Sequence, residues 1–158
     1  MPSQQRPALL MHLILHTGRL LDEKVRAGLS EHGLHQGQAR VLDALLEFGP
    51  QAVTQIATEL EIAQPTATVM LKRMEAAGLV SRSAVQGDAR VVLLKLTRTG
   101  RTAAERARRV WEQVHEDLNR LTPGELREPL VIGLSAIRDG LGGRAPDFRS
   151  DPTSEKAE

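Results

Sequence analysis

The chain of 158 residues contains no cysteine and no tyrosine, and its only phenylalanine and tryptophan residues are Phe48, Trp111 and Phe148. The absence of thiols excludes disulfide bonds, thiolate zinc sites and cysteine redox switches. With so few aromatic side chains, a core must be built from Leu, Val, Ile, Ala and Met. The apolar fraction of 41% is ordinary for a globular protein, and the length is that of one domain.

The sequence also lacks a long hydrophobic run. The run Ala8–Leu15 is interrupted by His12 and is much shorter than the roughly 20 residues that cross a bilayer. Only Arg6 precedes it as a basic residue, and no small-residue cleavage site follows it, so it does not have the form of a signal peptide. We therefore expect a cytoplasmic protein with no membrane partner.

The net charge is only +1, but the basic residues are distributed unevenly. Residues 72–109 contain Glu75, Asp88 and Glu105 as their acidic side chains, and many more basic ones. Such a basic middle region is the electrostatic footprint expected of a protein that binds phosphate groups. The alternative is an ordinary solvated helix face. The basic side chains of this region are Lys72, Arg73, Arg82, Arg90, Lys95, Arg98, Arg101, Arg106, Arg108 and Arg109.

The middle of the chain has the pattern of a helix-turn-helix followed by a β-hairpin. A short helix, Gln55–Leu60, is predicted to be capped by Thr54, and a second helix starts near Gln64 and runs to Ala77. Two β-prone runs follow, Leu79–Val85 and Val91–Leu96, with a polar turn between them. A helix fits the DNA major groove, and a thin basic ribbon can reach the neighbouring minor groove.

The remaining segments are predicted to be helical. Leucines at helical spacing predict helices over Ala8–His32 and Gly37–Phe48. A strand of one to three residues in Gln51–Val53 is predicted to join the sheet of the β-hairpin. A long helix is predicted over Arg98–Arg120 and a last one over Glu125–Leu141.

The second helix of the helix-turn-helix has two distinct faces. Its inward face is predicted to contain Ala67, Met70, Leu71 and Met74. Gln and Thr side chains on the other face can bond to base edges or phosphates, and Lys72 and Arg73 can neutralise phosphates. The alternative is the polar face of any amphipathic helix.

The order and spacing of several short motifs resemble the MarR family of winged-helix transcriptional regulators, over roughly residues 8–141. The motifs that carry the resemblance are Gln38-Ala39-Arg40-Val41-Leu42, Thr54-Gln55-Ile56-Ala57-Thr58-Glu59-Leu60, Gln64-Pro65-Thr66, Lys72-Arg73-Met74-Glu75, Gly78-Leu79-Val80, Arg82, Asp88-Ala89-Arg90 and Leu96-Thr97 followed by Gly100. The resemblance implies a mainly α (α+β) fold: a winged helix-turn-helix with N- and C-terminal dimerisation helices, about six helices and a small β-wing. It implies dimerisation helices over residues 1–34 and 121–141 and a DNA-binding lobe with its long connecting helix over 35–120. The Gly-, Pro- and charge-rich composition of residues 142–158 predicts a disordered tail.

The resemblance implies a sequence-specific regulator, expected to be a repressor, that binds a palindromic operator in double-stranded DNA. By resemblance, Arg90 enters the minor groove and Asp88 positions it, which agrees with the negative potential of a narrow minor groove. The alternative is an exposed ion pair in a turn, which contributes little to stability. The residues expected to bind DNA are Gln64, Pro65, Thr66, Thr68, Val69, Lys72, Arg73, Arg82, Asp88 and Arg90.

The two ends are apolar beyond what a small winged helix needs, and by resemblance they interlock two subunits. A two-fold dimer places two recognition helices about 34 Å apart, one turn of DNA. The resemblance also implies a small-molecule effector that relieves DNA binding. The candidate effector-binding residues are His16, Arg19, Arg40 and Trp111. The arginines suit an anionic ligand, while Trp111 as plain packing and Arg40 as a link between helices are the alternatives.

Two other functions stay open. His12 and His16 are four residues apart on one helix, a spacing that zinc accepts, so a metal-responsive regulator of the same fold is one alternative, although no third ligand is evident. The other is a winged helix used only for protein–protein assembly. We find no phosphate-binding loop, dinucleotide glycine motif or nucleophile elbow, and therefore expect no enzyme activity and no cofactor.

Overall fold

The computed structural model describes residues 9–85 and 88–143. These residues form six helices and three strands, which confirms the predicted fold class. The predicted helix ends agree with the observed ones to within two residues. The elements are α1 (Leu9–Ser30), α2 (Gln36–Phe48), β1 (Gln51–Ala52), α3 (Val53–Glu59), α4 (Gln64–Ala76), β2 (Val80–Val85), β3 (Asp88–Leu96), α5 (Arg98–Leu121) and α6 (Gly124–Gly140).

The three strands form one antiparallel sheet in the order β1-β3-β2. Gln51 pairs with Leu94, so the short first strand lies beside the wing hairpin, as predicted. The extent of the turn was predicted wrongly, because Asp88, Ala89 and Arg90 belong to β3. Backbone pairing at the tip of a ribbon needs no apolar side chains, so their polar composition did not reveal the strand.

One predicted helix cap was also wrong. α3 begins at Val53, and Ala52 occupies the N-cap position without a side-chain hydrogen bond. Thr54 therefore lies in the first turn, where its carbonyl oxygen accepts a hydrogen bond from the Thr58 hydroxyl at 3.0 Å. The pairing of β1 with β3 sets this helix start, and tertiary pairing overrides local cap preference.

The core is aliphatic, as the composition predicted. Its largest fully buried side chains come from α1, α2, α3, α4 and the sheet. α5 packs along α1 and α2, and Trp111 contributes a partly buried ring to the edge of this core. The fully buried large side chains are Leu29, Leu42, Ile56, Leu71, Met74, Leu94, Val41 and Val80.

A tight junction joins the wing to α5. The Thr97 hydroxyl oxygen accepts a hydrogen bond from the Gly100 backbone N–H at 2.9 Å and thereby caps α5. The same hydroxyl lies against the Gly78 carbonyl oxygen at the end of α4. A Cβ atom on Gly100 would lie 1.8 Å from the Leu79 carbonyl oxygen, so only glycine allows this approach.

The two terminal helices expose apolar side chains. α6 buries none of its residues, and α1 buries only Leu29. Large exposed apolar side chains of this kind mark surfaces that associate with other molecules. None of the helices in residues 9–85 and 88–143 has the length and apolar character that crossing a membrane requires. The exposed apolar residues of these two helices are Leu9, Leu10, Met11, Leu13, Leu15, Leu20, Leu126, Leu130, Val131, Ile132 and Leu134.

Candidate nucleic-acid interface

α4 is held on the surface of the lobe by one apolar face. Ala67, Leu71 and Met74 are fully buried, as predicted. The helix begins at Gln64 and has Pro65 in its first turn, where the missing N–H costs nothing. It is followed by Gly78, whose φ of +70° lies in the left-handed region that favours glycine.

The opposite face of α4 points to solvent. The side chains of Gln64, Thr66, Lys72 and Arg73 are exposed, as the predicted DNA-binding face requires, and so is Pro65. The exposed face of α4 is therefore free to enter a groove of DNA.

Two residues of this face differ from the rest. Thr68 is half-buried, and its hydroxyl donates a hydrogen bond to the Gln64 carbonyl oxygen at 2.9 Å. That proton is therefore not free for a base, although the sequence placed Thr68 with the outward residues. Val69 is a large apolar side chain and is nevertheless 52% exposed to solvent.

A groove of about 640 Å³ separates α4 from the start of α2. The α2 side was not predicted as part of the interface. His35 donates its backbone N–H to the Gln38 side-chain oxygen at 3.0 Å and so fixes the first turn of α2. Gly37 lies against Met70, since a Cβ there would be 3.1 Å from the Met70 sulfur. The groove is lined by His35, Gly37, Gln38, Pro65, Thr66, Val69, Met70 and Arg73.

Arg82, predicted to bind DNA, is paired within the protein. Its Nε donates to the Glu75 carboxylate at 3.0 Å, which ties β2 of the wing to the end of α4. The two side chains are 35% and 38% exposed, so solvent and phosphate can still reach them. Sequence reasoning missed Glu75, because a pair seven residues apart in different elements has no periodic signal.

The tip of the wing lies partly outside the described residues. The backbone of Asp88 and Arg90 belongs to β3, but their side chains are not described, and the predicted turn residues Gln86 and Gly87 fall in the gap. The predicted tail lies outside the description from residue 144 onward.

The basic residues of α5 divide into two groups. Arg98 and Arg101, near its start, are exposed. Arg108 instead bonds to Asp43 at 2.9 Å and to Glu47 at 2.9 Å. The Asp43 carboxylate raises the pKa of the Arg108 guanidinium above its usual range. Arg108 therefore links α5 to α2 and is paired with two carboxylates of α2.

The four candidate effector residues do not lie together in one pocket. His16 and Arg19 are exposed on α1, and Arg19 pairs with Glu23 at 2.7 Å. Arg40 is exposed on α2, and Trp111 packs against the core. None of the four lines the groove beside α4 or the smaller one of about 440 Å³ along α5.

Two histidines of α1 lie side by side, but they have no further metal ligand near them among the described residues. The rings of His12 and His16 are stacked, with centroids 5.8 Å apart and planes 7° apart. Within the described part of the chain, no three His, Asp or Glu side chains are grouped so that they could hold a metal ion.

Comparison with known proteins gives a consistent result. The MarR family model matches residues 34–92, which contain the helix-turn-helix and most of the wing. The chain is 28% identical to the HTH-type transcriptional regulator FarR of Neisseria gonorrhoeae over 144 residues, covering 89% of this chain and 99% of FarR.

Solved structures share the fold. AbsC, a MarR family transcriptional regulator from Streptomyces coelicolor, superposes with a TM-score of 0.74 at 24% identity, covering 91% of this chain and 98% of AbsC. A mutant MarR from E. coli complexed with operator DNA superposes with a TM-score of 0.71 at 23% identity, covering 81% of this chain and 92% of MarR. The family match identifies residues 34–92 as a MarR family domain, and the regulator relative and the winged-helix fold support a DNA-binding transcriptional regulator.

Proposed function

We propose that the protein is a sequence-specific repressor that binds a palindromic operator as a homodimer and is released by a small anionic ligand. The observation that carries the proposal is the free face of α4, whose exposed side chains include Gln64, Thr66, Lys72 and Arg73, in a chain whose terminal helices α1 and α6 expose apolar side chains. The protein would act in the cytoplasm.

Each exposed residue of α4 has a chemical role in this proposal. Gln64 and Thr66 have hydrogen-bonding groups for base edges or phosphates, and Lys72 and Arg73 attract phosphates. Arg90 enters the minor groove of the flanking DNA, with Asp88 orienting it. Further predicted contacts to the DNA come from Pro65, Thr68, Val69, Arg82, Arg98 and Arg101.

The proposed dimer explains the exposed ends. Several leucines of α1 and α6 are about half exposed or more in the single chain, including Leu15 at 65% and Leu130 at 49%. Burying such side chains contributes about 25 cal/mol per Å². A two-fold partner built on these helices would set the spacing of the two α4 helices and so favour a palindromic site.

The proposed dimer accounts for both repression and its release by a ligand. A dimer bound across a promoter excludes polymerase by occupying the DNA, and needs no further activity. A ligand can release it only if it binds the non-DNA-binding arrangement better. The ion pairs of Arg108 with Asp43 and Glu47 connect the lobe to α5 and therefore to the dimer ends. Arg19 and Arg40 remain the proposed cations for a carboxylate.

A reporter experiment tests repression. The promoter region upstream of the chain's own gene is fused to a reporter, and expression is compared with the protein present and absent. We expect lower expression with the wild-type protein, and recovery with the Lys72→Ala/Arg73→Ala variant. Equal or higher expression with the wild-type protein would refute repression, and a gain lost in the variant would indicate activation.

Metal response is the second candidate, favoured by the stacked pair of His12 and His16. Two imidazoles are half of a four-ligand zinc site. Stoichiometric zinc should then change operator affinity for the wild type and not for the His12→Ala/His16→Ala variant. Equal affinity with zinc and with a chelator would remove this candidate.

A further inference from the structure

The centre of the free face of α4 is mostly apolar, with Lys72 as its one charged side chain. Residues at positions i, i+4, i+7 and i+11 lie on one side of a helix, and Pro65, Val69, Lys72 and Ala76 have this spacing. All four are exposed. This central strip lies opposite the buried face, so it is the part of the helix that would reach deepest into a groove.

Val69 lies at the middle of this strip. Its side chain is 52% exposed, and together with Pro65 and Met70 it forms an apolar wall of the groove beside α2. Apart from Lys72, the polar side chains nearest to it are displaced from the centre. The Thr68 hydroxyl already donates a hydrogen bond to the Gln64 carbonyl oxygen, while Thr66 and Arg73 lie at the margin of the strip.

Such a surface cannot be matched to DNA by hydrogen bonds alone. Donors and acceptors on base edges lose water when the helix enters the major groove, and an unpaired one costs free energy. The floor of the major groove offers one apolar group, the C5-methyl of thymine. An exposed valine at the centre of the helix is complementary to that methyl group.

We infer that Val69 reads the C5-methyl group of a thymine in each half of the operator. This inference rests on the proposed sequence-specific binding and deepens it, because it names the base that the centre of α4 recognises. Thr66, Arg73 and Gln64 would then specify or position around that thymine. Lys72, one turn after Val69 in the strip, would extend its long side chain to a phosphate and carry no preference for the methyl group.

The test removes single methyl groups from the DNA. An operator is first selected from a pool of random duplexes with the full chain. Each thymine is then replaced in turn by deoxyuridine, which keeps every hydrogen-bonding group and lacks only the methyl. We expect one thymine in each half-site whose replacement weakens binding about fourfold, the value of one buried methylene-sized group.

Two variants assign the effect to Val69. Val69→Ala should bind the thymine operator more weakly and should lose most of the deoxyuridine penalty, because the methyl group no longer has a partner. Alanine has the higher helix propensity, so the fold is retained. The matched control is Lys72→Ala, which should weaken binding to all duplexes and keep the full fourfold penalty.

Each outcome has a definite meaning. A penalty at one thymine per half-site that disappears in Val69→Ala supports the inference. An enriched operator with no deoxyuridine penalty, or with a penalty that persists in Val69→Ala, overturns it and leaves sequence-specific binding intact. If no sequence is enriched from the pool, the proposed function fails, and the role of Val69 fails with it.

Discussion

Replacing Gly100 with alanine should destabilise the protein strongly, because the added methyl group has no room. The added Cβ would lie 1.8 Å from the Leu79 carbonyl oxygen and 2.8 Å from the Leu79 carbonyl carbon. Both are backbone atoms, so neither can turn away as a flexible side chain would. α5 would have to shift, and the hydrogen bond from the Gly100 N–H to Thr97 would be lost with it.

The magnitude follows from overpacking and from the lost cap. Overpacking a close contact costs about 1–3 kcal/mol, and losing a helix cap costs about 1 kcal/mol. We expect a loss of about 3 kcal/mol, which lowers Tm by roughly 6–12 °C in a domain of this size. Because the same junction touches the Gly78 carbonyl oxygen at the end of α4, operator affinity should fall as well.

The assay is thermal unfolding followed by circular dichroism, with Gly140→Ala as the control. A Cβ on Gly140 would have no heavy atom within 4 Å, so its effect should stay within about 0.5 kcal/mol. A Tm for Gly100→Ala within about 2 °C of the control would refute the reasoning about the junction.

Three further predictions concern charge. Lys72→Ala should weaken binding about equally for all DNA sequences. Measured by fluorescence anisotropy, the slope of log affinity against log salt should become shallower by roughly 2 per dimer. An unchanged slope would show that Lys72 does not contact phosphate. Arg90→Ala should lose most operator affinity with almost no change in Tm, and a large fall in Tm would instead indicate a structural role. The Asp117 carboxylate bonds to Lys24 and Arg120, which lowers its pKa from 3.8 to about 2. The contribution of this carboxylate to stability is therefore present above about pH 4 and is lost as the pH falls toward 2, so urea unfolding of Asp117→Asn should depend less on pH in that interval than unfolding of the wild type.

The helices and the winged arrangement could be predicted because they depend on local pattern. The spacing of Ala67, Leu71 and Met74 specified the buried face of α4 before any contact was known. Gly78 marked its end for the same local reason, since its positive φ is a property of one residue. The hairpin and the short strand after Pro50 were predicted in the same way, while the strand order β1-β3-β2 was not.

The rest depends on contacts between distant parts of the chain. The bonds from Arg108 to Asp43 and Glu47 span more than sixty residues, and no periodicity predicts them. The need for glycine at position 100 comes from the backbone of Leu79, which only the folded chain brings near. Of the residues predicted to bind DNA, Gln64, Thr66, Lys72 and Arg73 are exposed as expected. Their contacts to DNA, and those of the candidate effector residues, stay predictions.

Sedimentation tests separately whether the protein forms the proposed dimer through α1 and α6. The exposed leucines of α1 and α6 predict a dimer at micromolar concentration, because a stable interface needs apolar area that the single chain leaves in water. A single species with the mass of one chain would remove the dimer from the proposal.

The most direct test of the central claim is a titration of the full chain against the DNA upstream of its own gene, at 50 and 200 mM salt. Lys72, Arg73, Arg98 and Arg101 are four exposed cations per subunit. In a dimer they predict a slope of about −7 and an affinity roughly 10⁴-fold weaker at the higher salt. We expect that steep dependence together with a clear preference for one sequence over random DNA. Weak binding that ignores sequence and changes little with salt would contradict the account.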